Sequence, residues 1–205
     1  MRITSGMARG HRIRMPSGPE IRPTQDMTRK AVFDILGREV EGRRFLDLFA
    51  GTGANGIEAL SRGADCSTFV DNSKFCVEVI NKNLESTRLA DNASVIRDDV
   101  LRFLQLEYPE EQKFDIVFAD PPYFVKVGGP SVGKRVKKGI IEGQPEEPLA
   151  ERTLNLLSAG TILGSHAWVI IEHSPETCLP DMDGKLVLCK RRRYGSTAVS
   201  IYETI

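Results

Sequence analysis

Three glycines and an acid are spaced so that they could hold a small molecule. Gly51, Gly53 and Gly56 form a G-x-G-x-x-G pattern, and Asp47 lies in the apolar segment before it. Glycines at this spacing let the chain turn tightly and bring its backbone close to a ligand that a Cβ would push away. The pattern predicts a cofactor-binding loop between a strand and a helix.

A second acid stands where the ribose of a nucleoside could be recognised. Asp71 follows the apolar segment Cys66–Val70, twenty positions after Gly51. A carboxylate at this distance is placed to accept hydrogen bonds from both ribose hydroxyls, which favours nucleoside binding over an ordinary glycine-rich turn. Phe49 and Asn72, which lie beside these elements, are included in the expected cofactor-binding set.

The acid at Asp47 indicates which of two nucleoside cofactors the loop would bind. A dinucleotide brings a pyrophosphate to the helix N-terminus, where a nearby carboxylate would repel it. S-adenosylmethionine has a cationic sulfonium and no phosphate, so an acid at this position is favourable. The sequence therefore favours S-adenosylmethionine, with a nicotinamide-dependent dehydrogenase as the alternative.

The most specific chemical signal is the run Asp120, Pro121, Pro122 and Tyr123, directly after the apolar segment Phe114–Ala119. The two prolines fix φ and remove two backbone donors, so the turn is stiff and its carbonyls are free to accept hydrogen bonds. An acid, prolyl carbonyls and an aromatic face are thus expected together at the carboxyl edge of a sheet.

The segments that must position these residues alternate between strand and helix patterns. Expected strands cover 45–49, 66–70, 93–96, 114–119, 167–171, 185–189 and 198–202, and expected helices start near 24, 57, 74, 100 and 147, with caps at Thr24 and Ser73. Such alternation predicts a mostly parallel sheet with helices on both faces and an antiparallel C-terminal hairpin. Residues 1–15 predict a further small hairpin.

The D-P-P-Y run resembles the (N/D)-P-P-(Y/F) motif of methyltransferases that modify exocyclic amino groups of bases. The wider chain resembles the bacterial 16S ribosomal RNA guanine-N2 methyltransferase family in four blocks: Arg2–Gly10, Arg22–Leu36, Leu46–Ala64 and Tyr194–Tyr202. This resemblance implies an α/β, Rossmann-like class I methyltransferase fold with seven strands. It also implies an RNA-contacting hairpin and helix extension in residues 1–40 and a catalytic domain in 41–205.

The resemblance also assigns roles to single residues. Asp99 is expected to accept from the adenine amine and Asp98 to be solvated or to cap the next helix, although these two assignments could be exchanged. Arg22 and Thr24 are expected at the mouth of the cofactor site or, alternatively, only at the entry of their helix. Asp120 and the carbonyl of Pro121 would accept hydrogen bonds from the guanine N2 amine, and Tyr123 would stack on a base flipped out of its surroundings.

The distribution of charge predicts a polyanionic partner. The net charge is zero, but residues 1–44 hold ten Lys and Arg against five Asp and Glu, 45–123 hold seven against fourteen, and 185–202 hold five against none. Local basic patches are what RNA binding requires. The expected RNA contacts are Arg2, Arg9, Arg12, Arg14, Arg29, Lys134, Arg135, Arg192 and Tyr194.

Two basic segments keep alternative interpretations. Residues 124–144 contain five glycines and five Lys or Arg, which is typical either of an RNA-contacting lid or of a variable loop. Residues 190–195 are expected to form a turn that contacts phosphates and stacks a base, or a plain solvated hairpin.

Other functional classes are less compatible with the chain. The four cysteines and three histidines show no ligand spacing, so we expect neither disulfides nor a metal. There is no apolar stretch of membrane-spanning length, and we expect a cytoplasmic, monomeric protein. The resemblance implies that its partner is ribosomal RNA within a small-subunit particle. The alternatives are methylation of another RNA or of DNA adenine, and a catalytically silent ribosome-assembly factor.

Overall fold

The computed structural model describes residues 1–15, 23–122 and 147–205, with the backbone alone for 23–26. The helices are α1 (Pro23–Leu36), α2 (Ala54–Ser61), α3 (Lys74–Thr87), α4 (Val100–Phe103) and α5 (Leu149–Ala159). The strands are β1 (Arg44–Leu48), β2 (Cys66–Asp71), β3 (Ala93–Arg97), β4 (Phe114–Ala119), β5 (Leu163–His173), β6 (Met182–Asp183), β7 (Leu186–Tyr194) and β8 (Thr197–Thr204).

The eight strands found in the described residues form one sheet in the order β3-β2-β1-β4-β5-β8-β7-β6. The first five strands in this order are parallel, and β8, β7 and β6 join by antiparallel pairing. The expected α/β architecture is confirmed, with eight strands in place of seven because the two-residue β6 pairs with β7. The chain winds outward in opposite directions from β1 and β4, so these neighbours form the topological switch point where ligands bind in open α/β sheets.

Buried side chains fill both faces of the sheet. One face carries Phe45, Phe69, Phe118 and Ile170 under α1, α2 and α3, and the other carries Leu46, Val117 and Ile171 under α4 and α5. The alternation of Phe45 and Leu46 follows from the two-residue period of a strand. The central strands β1 and β4 are covered on both faces and largely buried, which explains their mostly apolar sequences, whereas no residue of the edge strand β3 is fully buried.

Residues 1–15, the N-terminal segment, pack into the same core. Ile3, Ala8 and Ile13 are buried in the cluster that lies under α1 and α2. The expected hairpin is reduced to a single antiparallel bridge between Arg2 and Arg12. The proposed boundary at residue 40 therefore does not separate two hydrophobic cores.

Three sequence-based element assignments were wrong in detail. Residues 190–194 belong to β7, because antiparallel pairing with β8 continues as far as Tyr194 and Thr197 and leaves only Gly195 and Ser196 as the turn. Helix α1 starts at Pro23, which is suited to the first helical position, so Thr24 lies inside the helix and is not its N-cap. Helix α4 ends at Phe103, three residues earlier than expected.

Within the described ranges, no helix is both long enough and apolar enough to span a bilayer. The same ranges contain no group of three or more His, Cys, Asp or Glu arranged to hold a metal ion.

Candidate cofactor and substrate site

The register of the parallel strands brings the predicted acids to one edge of the sheet. Leu48 of β1 lies opposite Val70 of β2 and Ala119 of β4. The residues that follow these positions, Asp71 and Asp120, therefore flank the start of the loop after β1. This edge is the carboxyl end of the switch point, as the sequence predicted.

Residues 49–53 form the glycine loop. Gly51 has a φ of 55° and donates its backbone N–H to Asp71 Oδ2 at 2.9 Å. The backbone N–H of Ser73 donates to Asp71 Oδ1, also at 2.9 Å. Phe49 has a φ of 56°, a costly conformation for a residue with a Cβ and one that clusters at ligand-binding sites. The loop is thus held in a tight turn by the carboxylate that ends β2.

The third glycine of the motif serves close packing between α2 and the sheet. A Cβ at Gly56 would lie 2.3 Å from the Phe69 ring and 2.5 Å from Ser67 Oγ. The glycine also donates its backbone N–H to Asp47 Oδ2 at 2.9 Å. Gly56 therefore lets the helix N-terminus approach both the strand and the acid of β1.

Asp47 is a buried acid with one oxygen that receives no hydrogen bond from the described residues. It is 1% exposed, and its Oδ1 has no hydrogen-bond partner in the described part of the chain. Burial raises the pKa of Asp47 from 3.8 to about 8; the Gly56 N–H and the nearby Asn55 side chain oppose this rise, and the negative charges of Asp120 and Asp71 add to it. The site combines three acids, and one of them, Asp47, has a buried oxygen without a hydrogen-bond donor. Such a site favours a cationic ligand and disfavours a phosphate. It therefore fits the positively charged methionine portion of S-adenosylmethionine.

A cleft of about 500 Å³ adjoins the ends of β2 and β3. It is lined by Asn72, Arg97, Asp98, Asp99 and Arg102. Asp99 caps α4, because its Oδ1 accepts a hydrogen bond from the backbone N–H of Arg102 at 3.0 Å. The side chain of Arg102 donates from its Nε to Asp98 Oδ1 at 2.8 Å. The cap of α4 is therefore Asp99, which is the exchange of the two assignments that the sequence left open. Both carboxylates lie in the cleft where an adenine would be expected.

The acid-proline turn follows β4 directly. Asp120 is half-buried, Pro121 is buried and Pro122 is exposed. Several predicted site residues, Tyr123, Arg22, Lys134 and Arg135, lie outside the described residues. The side chain of Thr24 is likewise not described. The structure thus brings Asp120 together with Asp47 and Asp71, and the roles of the other residues stay predictions.

Most described residues of the expected RNA-contacting set lie on the surface. Arg2, Arg9, Arg12, Arg14 and Arg192 are exposed, and Tyr194 is half-buried against the core. The β7–β8 turn lies at the same sheet edge as the acids, because β8 starts opposite the carboxyl end of β5 at the pair His173 and Ala198. The hairpin tip is therefore on the side of the candidate active site.

The RNA contact expected of Arg29 was wrong. Arg29 is 3% exposed, its Nη2 donates to the Arg2 carbonyl at 2.8 Å and its Nε lies 3.8 Å from Glu58 Oε2. Its position three and four residues before the buried Val32 and Phe33 places it on the inner face of α1. Arg29 thus supports the fold.

Two buried polar residues were missed by sequence reasoning. Glu58 on α2 accepts from the backbone N–H groups of Thr4 and Ser5 and pairs with Arg62 at 2.8 Å. Asn83 on α3 bonds to the backbone of the N-terminal segment and of the glycine loop. A signal existed for Asn83, since it interrupts the apolar face of α3 between Ile80 and Leu84, but nothing local identifies its partners.

Comparison of the sequence with known proteins points to rRNA methyltransferases, in agreement with the geometry of the candidate site. The family model described as conserved hypothetical protein 95 matches residues 1–141. The Bacillus subtilis protein YlbH, whose name assigns it provisionally as an rRNA methyltransferase, is 32% identical over 203 residues, which cover 99% of this chain and 98% of the relative. Ribosomal RNA small subunit methyltransferase D of Escherichia coli strain K12 is 30% identical over 203 residues, which cover 99% of this chain and 89% of the relative.

A solved structure supports the same assignment. A 16S rRNA N2 methyltransferase of Thermus thermophilus, in complex with AdoMet and guanosine, aligns with a TM-score of 0.65 and 25% identity over 92% of this chain and 45% of that chain. The Rossmann-like methyltransferase fold predicted from the sequence is confirmed. The chain therefore belongs to the conserved hypothetical protein 95 family, the rRNA methyltransferase family that includes ribosomal RNA small subunit methyltransferase D.

Proposed function

We propose that the protein transfers a methyl group from S-adenosylmethionine to the exocyclic N2 amine of a guanine in small-subunit ribosomal RNA. The observation that carries the proposal is the meeting of Asp47, Asp71 and Asp120 at the carboxyl ends of β1, β2 and β4. Two of these acids suit a cationic nucleoside cofactor, and the third begins the acid-proline turn associated with exocyclic amines.

The cofactor would be held by groups that the fold already orients. Asp71, fixed by two backbone N–H groups, retains lone pairs that can accept from ribose hydroxyls. Asp47 Oδ1, which receives no hydrogen bond from the described residues, would pair with the positive charge of the cofactor. Asp98 or Asp99 can accept a hydrogen bond from the adenine amine. When bound, S-adenosylmethionine supplies an electrophilic methyl group on a sulfonium.

The substrate amine would be oriented by the turn after β4. Asp120 and the carbonyl of Pro121 accept hydrogen bonds from the two amine hydrogens, which draws the nitrogen lone pair out of conjugation with the ring. The same contacts stabilise positive charge that grows on nitrogen in the transition state. Holding the reactants in line accounts for a further large part of the catalysis, on the order of 7 to 11 kcal/mol in favourable cases. Asp120 need not abstract the proton before transfer.

The RNA would be bound by the exposed arginines around this sheet edge. Arg192 on β7 and Arg14 at the end of the N-terminal segment carry exposed guanidinium groups. The names of the relatives supply the substrate class, since the Escherichia coli protein is named for the small ribosomal subunit and the Thermus protein for N2 of 16S rRNA.

Transfer of a labelled methyl group to small ribosomal subunits from cells that lack this enzyme tests the proposal. The expected product is N2-methylguanosine in 16S rRNA after nucleoside analysis. Label on adenine or cytosine would keep methyl transfer but overturn the guanine assignment. Absence of label from every RNA and DNA tested, with cofactor binding intact, would favour the assembly-factor alternative.

A further inference from the structure

The buried Asn83 joins two distant parts of the chain. Its Oδ1 accepts from the backbone N–H of Arg14 at 2.8 Å, and its Nδ2 donates to the carbonyls of Arg14 at 3.2 Å and of Thr52 at 2.9 Å. The side chain is fully enclosed, with 0% exposure. Asn83 therefore links the N-terminal segment to the glycine loop through α3.

A second contact reaches the same loop residue. The Thr52 hydroxyl lies 3.9 Å from Met1 Sδ, within reach of a weak hydrogen bond to sulfur. Thr52 stands between Gly51 and Gly53, which have φ values of 55° and 74°. Two glycines beside one residue give the backbone wide conformational freedom, so a fixed Thr52 carbonyl removes much of it.

We propose that Asn83 is a positioning residue for the methyl donor, and that the N-terminal segment supports the cofactor loop in addition to any contact with RNA. The inference rests on the proposed function, because it takes S-adenosylmethionine as the ligand of the glycine loop. By anchoring Thr52, Asn83 keeps the N–H of Gly51 directed at Asp71. A loop held in this form before binding avoids the entropic cost of being ordered by the ligand.

The test compares two substitutions at Asn83 with a matched change on the same helix. Asn83→Asp keeps the acceptor for Arg14 and removes both donated hydrogen bonds, and Asn83→Ala removes all three without adding charge. The control is Asn81→Asp, which makes the same Asn-to-Asp change at an exposed position of α3. Binding of S-adenosylhomocysteine to the full chain is measured by titration calorimetry, whose stoichiometry reports the folded fraction.

We expect both Asn83 variants to bind about tenfold more weakly, the effect of losing a buried hydrogen bond, and Asn81→Asp to match the wild-type protein. In turnover assays the KM for S-adenosylmethionine should rise and the KM for small ribosomal subunits should stay constant. A defect confined to folding would lower the stoichiometry and leave both KM values unchanged.

The two proposals fail in different ways. Unchanged affinity of the folded Asn83 variants would overturn the positioning role and leave the proposed function intact. Absence of binding to the wild-type protein would overturn the proposed cofactor and, with it, the positioning role.

Discussion

Gly51 and Asp71 are joined by a 2.9 Å hydrogen bond from the glycine N–H to the carboxylate that ends the neighbouring strand. The bond makes the acid both a candidate ribose ligand and the group that holds the glycine loop. We therefore expect this one side chain to affect cofactor affinity in two ways, through the proposed contact with the ribose and through the loop.

Replacing Asp71 should weaken cofactor binding. In Asp71→Asn an amide N–H faces one of the two backbone donors, so the hydrogen bond from either Gly51 or Ser73 is lost together with the negative charge. We expect at least a tenfold increase in the Kd for S-adenosylhomocysteine, measured by calorimetry. Asp91→Asn, at an exposed position, is the matched control. Undiminished affinity would exclude Asp71 as the ribose ligand.

Replacing Asp120 should separate turnover from binding. Asp120→Asn keeps the shape of the side chain but removes the charge that stabilises a positive nitrogen in the transition state. We expect single-turnover methylation of small subunits to fall by about 100-fold. The Kd for S-adenosylhomocysteine should change by no more than a few fold. A comparable loss of cofactor affinity would instead assign Asp120 a structural role.

The raised pKa of Asp47 predicts a pH-dependent stability for the ligand-free protein. Between about pH 4 and about pH 8 the folded protein keeps a proton on Asp47 that the unfolded chain has lost. The contribution of this group to the free energy of unfolding therefore falls as pH rises, by about 1.4 kcal/mol per pH unit, and levels off above the folded pKa.

Asp47→Asn removes this titration and preserves an oxygen for the Gly56 N–H. Urea unfolding at pH 5, 6 and 7 should show the variant gaining stability over the wild-type protein as pH rises. The same variant should bind S-adenosylhomocysteine more weakly, because an amide cannot ionise to pair with the ammonium group of the ligand's amino-acid portion. A stability difference that does not vary with pH would contradict the raised pKa.

Glu58 should be required for the attachment of the N-terminal segment. Its carboxylate accepts from the Thr4 N–H at 2.8 Å, from the Thr4 hydroxyl at 2.6 Å and from Arg62 Nε at 2.8 Å, and it is fully buried. Glu58→Gln places amide donors against these donors, and we expect a loss of about 3 kcal/mol in urea unfolding. Glu85→Gln, exposed on α3, should change stability by less than about 0.5 kcal/mol.

Arg192 should contribute to RNA affinity through charge. Arg192→Ala should weaken binding to small-subunit RNA at low salt and reduce the slope of log affinity against log salt by about 1. Arg38→Ala is the control, since that exposed residue follows α1 near the start of β1, at the opposite sheet edge. Equal effects of the two substitutions would indicate nonspecific attraction rather than a contact at the active-site edge.

The sequence predicted the strands and their site-bearing ends because local patterns encode them. Strand β4 has the predicted bounds, and the apolar run that forms it stops at Asp120. The burial of Arg29 was also predictable from the sequence, because Arg29 lies on the same face of α1 as the apolar residues Val32 and Phe33. Periodicity thus identifies which residues are buried, even when they are charged.

The partners of buried polar groups could not be predicted in this way. Glu58 bonds to backbone groups of Thr4 and Ser5, and a backbone N–H has no sequence signature. The basic residues of β7 were placed in a turn for a related reason: their strand conformation is set by pairing with β8, which charge composition does not reveal.

The attachment of the N-terminal segment has a consequence for the order of folding. Its hydrogen bonds join residues far apart in sequence, 54 positions for Thr4 and Glu58 and 69 for Arg14 and Asn83. We expect contacts between residues so far apart in sequence to form late, because closing a long loop costs chain entropy before the contact stabilises it. During synthesis, the first fifteen residues cannot reach their final place until α3 has left the ribosome, so the glycine loop acquires its support only after β1, α2 and β2 have been made.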